Sequence, residues 1–195
     1  MRVGLTLLLL ASCDQTWNLD HIDERDAAPH AFDPAADCPT SYDLAFIAGS
    51  RFHIVQTGRT AWNASDACVA DSSGLTHLAV APTREELDAL IGALTSRADG
   101  RWWIGAVQPT TATAPGDGWL WATGEAIDAA LWLSPIEPND GNGIEDDHED
   151  QFGFIEASTT GLIDAQGLTV LRYLCQCDGR PMSNDARTAL DQSRL

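Results

Sequence analysis

The chain has 195 residues, 44% of them apolar, and carries 29 Asp and Glu against 11 Lys and Arg, a formal net charge of −18. That length suits one ordinary domain with appendages, and the apolar fraction can build a core, which argues against global disorder. The charge argues against a nucleic-acid partner, which selects basic surfaces; it fits a soluble acidic surface or one that recruits divalent cations.

Met1-Arg2 followed by the apolar residues 3–10 reads as a short secretory signal, too short to span a bilayer as a helix. It ends in Leu10-Ala11-Ser12-Cys13, which resembles a bacterial lipobox. The resemblance implies cleavage before Cys13, acylation of Cys13, and an exported cell-envelope lipoprotein held to the membrane by its lipid alone. The expected division is a signal peptide over 1–12, and the acylated cysteine with a tether over 13–37. Residues 14–37 are acidic and show no sustained periodicity; Trp17 and Phe32 read there as exposed linker aromatics. With Cys13 set aside, Cys38, Cys68, Cys175 and Cys177 are even in number, and an exported chain makes disulfides the default. Cys175-Gln176-Cys177 lacks the spacing of a zinc site, so two bridges are favoured over a metal.

Further along, Phe46-Ile47 and residues 52–55 read as short strands joined through Gly49-Ser50. Thr60 precedes a short helix containing Trp62, Ala67 and Cys68, ended by Gly74. Thr83-Arg84-Glu85-Glu86 is a capping box, and Leu87, Leu90, Ile91 and Leu94 then form one apolar helical face. Residues 102–107, 119–121, 152–155 and 170–174 are further strand candidates. Two early helices followed by strands between long Gly/Pro/Asp loops predict an α+β fold rather than alternating βαβ units. Residues 179–195 read as a polar C-terminal tail in which any helix over 186–190 frays.

The markers fall in one order: Cys38-Pro39, Trp62 with Cys68, His77-Leu78-Ala79, Glu86 with Leu90, Trp103-Ile104-Gly105, Trp119 with Trp121, Trp132, Glu137-Pro138-Asn139, Glu149-Asp150 and Tyr173 with Cys175. This series resembles a C-type lectin-like domain and covers residues 38–178. The resemblance implies two helices, short antiparallel sheets and a long irregular binding loop, braced by disulfides Cys68–Cys175 and Cys38–Cys177. At Gly105 it implies a neighbouring backbone at close approach. The family's second disulfide would fall at Gln151 and Gly167; both cysteines are missing together, which implies a less braced loop.

The loop from Glu137 to Asp150 holds seven carboxylates and no Lys or Arg, and crowded carboxylates repel unless they are solvated or share a cation. In calcium-dependent members of the family the Glu-Pro-Asn motif, with a cis peptide before its proline, supplies calcium ligands that also hold two sugar hydroxyls. Carried over, the calcium and carbohydrate ligands are Glu137, Asn139, Glu149 and Asp164. Leu162-Ile163-Asp164 stands where the family has Trp-Asn-Asp, so Ile163 removes one amide oxygen and implies weaker calcium and sugar binding. Asp140, Asn142, Glu145, Asp146 and Asp147 are candidate substitutes. His148 reads as a solvated loop histidine, with a ligand or pH sensor as the alternative, and His77 as structural. The tryptophans read as core, with a sugar-stacking role for Trp119 or Trp132 as the alternative.

The expected function is a membrane-tethered glycan or glycoprotein binder, calcium-dependent with a preference for mannose-type sugars. The alternative is a calcium-independent protein-binding module, an adhesin or receptor fragment, on the same fold. No enzyme is expected. Glu149 and Asp150 as strand neighbours would point to opposite faces, and no nucleophile motif, phosphate loop or His-metal spacing appears.

Overall fold

A computed structural model describes residues 31–72, 74–95, 100–134, 136–140 and 151–194. The signal, Cys13, Glu149, Asp150, His148 and the candidate substitutes Asn142, Glu145, Asp146 and Asp147 lie outside the described residues. The elements in chain order are α1 (Pro34–Asp37), β1 (Arg51–Arg59), α2 (Ala61–Asp71), β2 (Thr76–Leu78), α3 (Arg84–Thr95), β3 (Arg101–Val107) and β4 (Leu120–Trp121). A 3₁₀ turn (Ala129–Leu131), β5 (Phe152–Glu156), β6 (Leu162–Ala165), β7 (Leu171–Cys177) and α4 (Asn184–Gln192) follow.

The strands make one sheet in the order β1-β7-β3-β5-β6, with β2 on β7 and β4 on β3. All pairings are antiparallel except β3 with β7, which run parallel. A parallel pair needs a long crossover, and here residues 108–170 lie between the two strands. The α+β class and both early helices match the sequence reading. The sheet is single and mixed, however, and α1 and α4 are additional helices. Phe46-Ile47 is not a strand: Leu44 makes one isolated bridge to Phe52, and Phe46 instead stacks on the Phe52 ring at 4.2 Å.

β3 is buried on both faces, which explains its unbroken apolar run. Successive side chains alternate, so Trp102 enters one core with α3, Trp121 and Leu162, while Trp103 enters the other with α2, Phe152, Phe154 and α4. The first core rests on α3, whose capping box forms as read: Glu86 N donates to Thr83 Oγ1 (3.2 Å) and Thr83 N donates to Glu86 Oε2 (3.1 Å). Gly105 sits where three segments meet. Its N–H donates to Ala79 O (2.7 Å) and its carbonyl accepts from Ala122 N (2.6 Å). A Cβ there would lie 2.7 Å from Leu78 O and 2.8 Å from Ala122 Cβ. The close backbone approach expected at Gly105 is present.

Both disulfides form as the resemblance implied, Cys68–Cys175 and Cys38–Cys177, spanning 107 and 139 residues. Closing a loop of either length is worth about 5 kcal/mol in the chain-entropy model. Where the third bridge is missing, Gly167 lies under the Phe152 ring, and Phe152 packs edge-on against Trp62 at 5.5 Å. Aromatic packing occupies that corner.

The packed unit begins at Phe32 and takes in α4, beyond both ends of the expected 38–178. At its start Phe32 covers Gly179, so it is not a free linker aromatic. At its end α4 is capped by Ser183 Oγ, which accepts from Ala186 N (3.1 Å), and buries Ala186, Ala189 and Leu190. Trp62 Nε1 donates to Ser193 Oγ (3.0 Å), and Arg194 pairs with Asp66 (2.9 Å). The segment read as a fraying tail is a docked helix.

A buried polar network closes the sheet near its termini. His77, fully buried, faces Leu78 O through Nδ1 (2.7 Å) and Asp178 through Nε2 (3.1 Å), as the structural reading of this histidine required. Asp178 also accepts from Arg180, which reaches on to Glu125 (2.9 Å). Burial alone would raise the Asp178 carboxyl. The hydrogen bond and charge of His77, with the side-chain and backbone hydrogen bonds of Arg180, outweigh burial and hold it at about 2, against an ordinary 3.8.

Gly105→Ala drives a methyl into fixed backbone and should lower stability by about 1–3 kcal/mol in urea unfolding. Gly92→Ala, in α3 with nothing within 4 Å of its added carbon, should raise stability by about 0.5–1 kcal/mol. Because the folded state holds Asp178 below its unfolded value, its contribution is complete above pH 3.8 and is lost as pH falls towards about 2. Asp178→Asn should therefore lack about 2 kcal/mol of the wild-type stability lost over that window. Parallel acid limbs in the two proteins would contradict this.

Candidate functional site

The long segment after β4 returns to the sheet at β6. Leu133 N donates to Leu162 O (2.9 Å), and Trp132 bridges Leu162. Gly161 makes that approach possible, since a Cβ there would stand 2.4 Å from Leu133 Cα. Beyond it the chain turns at Ser134, whose Oγ accepts from Ile136 N and whose carbonyl accepts from Glu137 N, both at 3.0 Å. The Glu137-Pro138 bond is cis, as the resemblance implied. Glu137 Oε2 is withdrawn from solvent, and Asn139 is exposed.

Asp164, on edge strand β6, reaches back to this turn. Its carboxylate accepts from Asn139 N (3.2 and 3.1 Å to its two oxygens) and from Asp140 N (2.8 Å). Asp140 has φ of +50°, a left-handed conformation that Asp tolerates better than most residues. Two consecutive amides converging on one anion make a small nest, and here the anion is supplied by the chain itself. A carboxylate offers about four lone-pair sites, so Asp164 retains acceptor capacity after these bonds.

Of the four expected ligands, Asn139 and Asp164 are therefore brought together, with Glu137 two residues away in the cis turn. Glu149 lies outside the described residues, and so does Asp150. Ile163 stands on β6 opposite Phe154 and packs, half-buried, against the Trp103–Phe154 core. By strand alternation that is the face opposite to Asp164. The missing Asn therefore costs an oxygen donor, but the Ile163 side chain does not crowd Asp164. Trp119 and Trp132 are 3% and 7% exposed and pack edge to face at 4.6 Å, so they belong to the core and not to a stacking surface. Among the described residues no cluster of three or more His, Cys, Asp and Glu side chains is arranged to hold a metal. What the residue pattern missed is the backbone, because no side-chain motif announces that the Asn139 and Asp140 amides both turn onto Asp164.

Chemically, the described part of the site presents only oxygen donors from two adjacent segments. It holds no thiol or imidazole. Such a surface can accept hydrogen bonds from hydroxyls or meet a hard cation; it offers no soft ligand and no evident nucleophile.

No family model matches the chain. No curated protein matches it in sequence. Solved structures do match it in fold. The C-type lectin CEL-I from Cucumaria echinata is similar at 19% identity and a TM-score of 0.57, over 71% of this chain and 96% of that one. The carbohydrate-recognition domain of the human scavenger receptor C-type lectin is similar at 19% identity and a TM-score of 0.57, over 72% and 98%. A calcium-independent type II antifreeze protein is similar at 24% identity and a TM-score of 0.53, over 71% and 92%. Nearly the whole length of each of those chains superposes on this one, and the protein accordingly has a C-type lectin-like fold.

Proposed function

We propose that this protein is an exported, lipid-tethered lectin that binds mannose-type glycans with calcium held by Glu137, Asn139, Glu149 and Asp164. The observation that carries the reading is Asp164 seated against the Glu137-Pro138-Asn139 turn. Those residues offer a carboxylate, an amide carbonyl and a second carboxylate, the oxygen donors that calcium takes six to eight of. Bound there, calcium would supply a positive centre to which adjacent sugar hydroxyls could add as ligands. The chain's own part is to hold the turn in shape and to accept hydrogen bonds from the hydroxyls through Glu137. Ile163 leaves one donor to be replaced by water, so a weak site is expected. Export and tethering rest on the sequence of residues 1–13, and two disulfides fit an oxidising compartment. A non-catalytic role fits neighbours that are lectins and an antifreeze protein.

A second reading, a calcium-independent protein-binding module, is favoured by one feature. Asp164 already satisfies the two loop amides with its own charge, so the turn has a brace that needs no ion. The calcium independence of one structural neighbour is compatible with it.

Calorimetric titration of the full chain with calcium should give a saturable heat that weakens about tenfold or more in Glu137→Ala. Retention on mannose resin should be lost in chelator. Absence of any calcium heat, together with capture of a protein partner that survives chelator, would favour the second reading.

A further inference from the structure

Arg84 opens α3 at the end where a cation is disfavoured, because the first turn of a helix is the positive pole of its dipole. The capping box formed by Thr83 and Glu86 completes that terminus without it. Its helical partner Asp88, exposed and 3.9 Å away, makes an ion pair too weak to account for the residue. The guanidinium instead leaves the helix. Nη2 donates to Ala130 O and Nη1 to Thr160 O.

Those two carbonyls lie on the two segments that build the candidate site. Ala130, in the 3₁₀ turn, leads through Trp132 and Leu133 to Glu137. Thr160 leads through Gly161 into β6 and Asp164. The segments are joined in three rungs: Arg84 between Ala130 and Thr160, then Leu133 N on Leu162 O (2.9 Å), then Asp164 on the amides of Asn139 and Asp140. The lower rung sets the spacing for the upper ones. A planar guanidinium has donors at fixed separation and can hold two carbonyls at once; a lysine ammonium is a single point of charge on a flexible stem.

We infer that Arg84 is a positioning residue for the site at Glu137, Asn139 and Asp164, acting from α3 by fixing the gap between the two segments that carry it. Its consequence for ligand affinity rests on the calcium reading proposed above, whereas its consequence for the turn does not. A mere helix-stabilising role predicts that substitution loosens α3; positioning predicts that it loosens the amides of Asn139 and Asp140.

Amide hydrogen exchange of the full chain in chelator, comparing wild type with Arg84→Lys and Arg84→Gln, separates the two. Exchange at Asn139 and Asp140 should accelerate about tenfold in both variants, the scale of one lost charge-assisted hydrogen bond, while Leu90 and Leu94 in the buried face of α3 change little. Calcium affinity should fall by a similar factor. Unchanged exchange at Asn139 and Asp140, or equal acceleration at Leu90 and Leu94, would overturn the inference. A wild type that takes up no calcium while its Arg84 variants still loosen these amides would refute the calcium reading and uphold the positioning role.

Discussion

The site proposed for this protein depends on one carboxylate. Asp164 sits on the edge strand of the sheet, and two consecutive amides of the turn after Pro138 donate to it at 2.8–3.2 Å. An anion that satisfies two backbone N–H groups replaces water they would otherwise need, and charge-assisted bonds of this kind are stronger than neutral ones. The positive φ of Asp140 turns the second amide inward. Because the charge comes from the chain itself, the turn does not wait for a ligand to acquire its shape. Because the carboxylate still has lone pairs to offer, the same contact leaves a place for one.

The position of that carboxylate is set by the fold below it. β6 pairs with β5 so that Asp164 lies opposite Gly153, and β5 in turn pairs with β3, whose two faces hold Trp102 and Trp103 in separate cores. Gly153 has no space for a side chain, since a Cβ would stand 2.5 Å from Ala106 Cβ. β3 is fixed from the other side at Gly105, where Ala79 and Ala122 both bond its peptide groups. The long disulfides act on β7, at the far side of β3 from the site. They hold the termini and α2 to the sheet, and leave the turn to be braced by hydrogen bonds and aromatic packing.

Much of this was legible in the sequence where short-range rules govern. The capping box at Thr83 and Glu86, the apolar face of α3, the close approach at Gly105 and the ordered cysteines each have a local physical cause that a reader of residues can name. β6 was harder, because four residues with Ile163 and Asp164 side by side show no clear alternation. α4 was missed for a related reason: its buried side chains are two alanines and one leucine, and the rest of it is polar. Its N-cap, Ser183, was the available signal. Phe46-Ile47 has strand-forming residues, yet stacking on Phe52 wins over pairing.

The contacts that shape the site were less legible. Backbone amides carry no residue label, so the convergence of Asn139 and Asp140 on Asp164 has no sequence signature. Arg84 likewise meets carbonyls 46 and 76 residues away, and only its misplacement at a helix start hints that it has work elsewhere. Ile163 shows the reverse case, in which the motif reads as damage near an ion while the strand turns the side chain into the core. A crystal structure of the full chain grown with calcium tests the central claim most directly. The account predicts an ion held by oxygens of Glu137, Asn139 and Asp164 while Asp164 still accepts from the amides of Asn139 and Asp140. An Asp164 turned away from those amides, or a turn of the same shape with no ion beside it at saturating calcium, would contradict it.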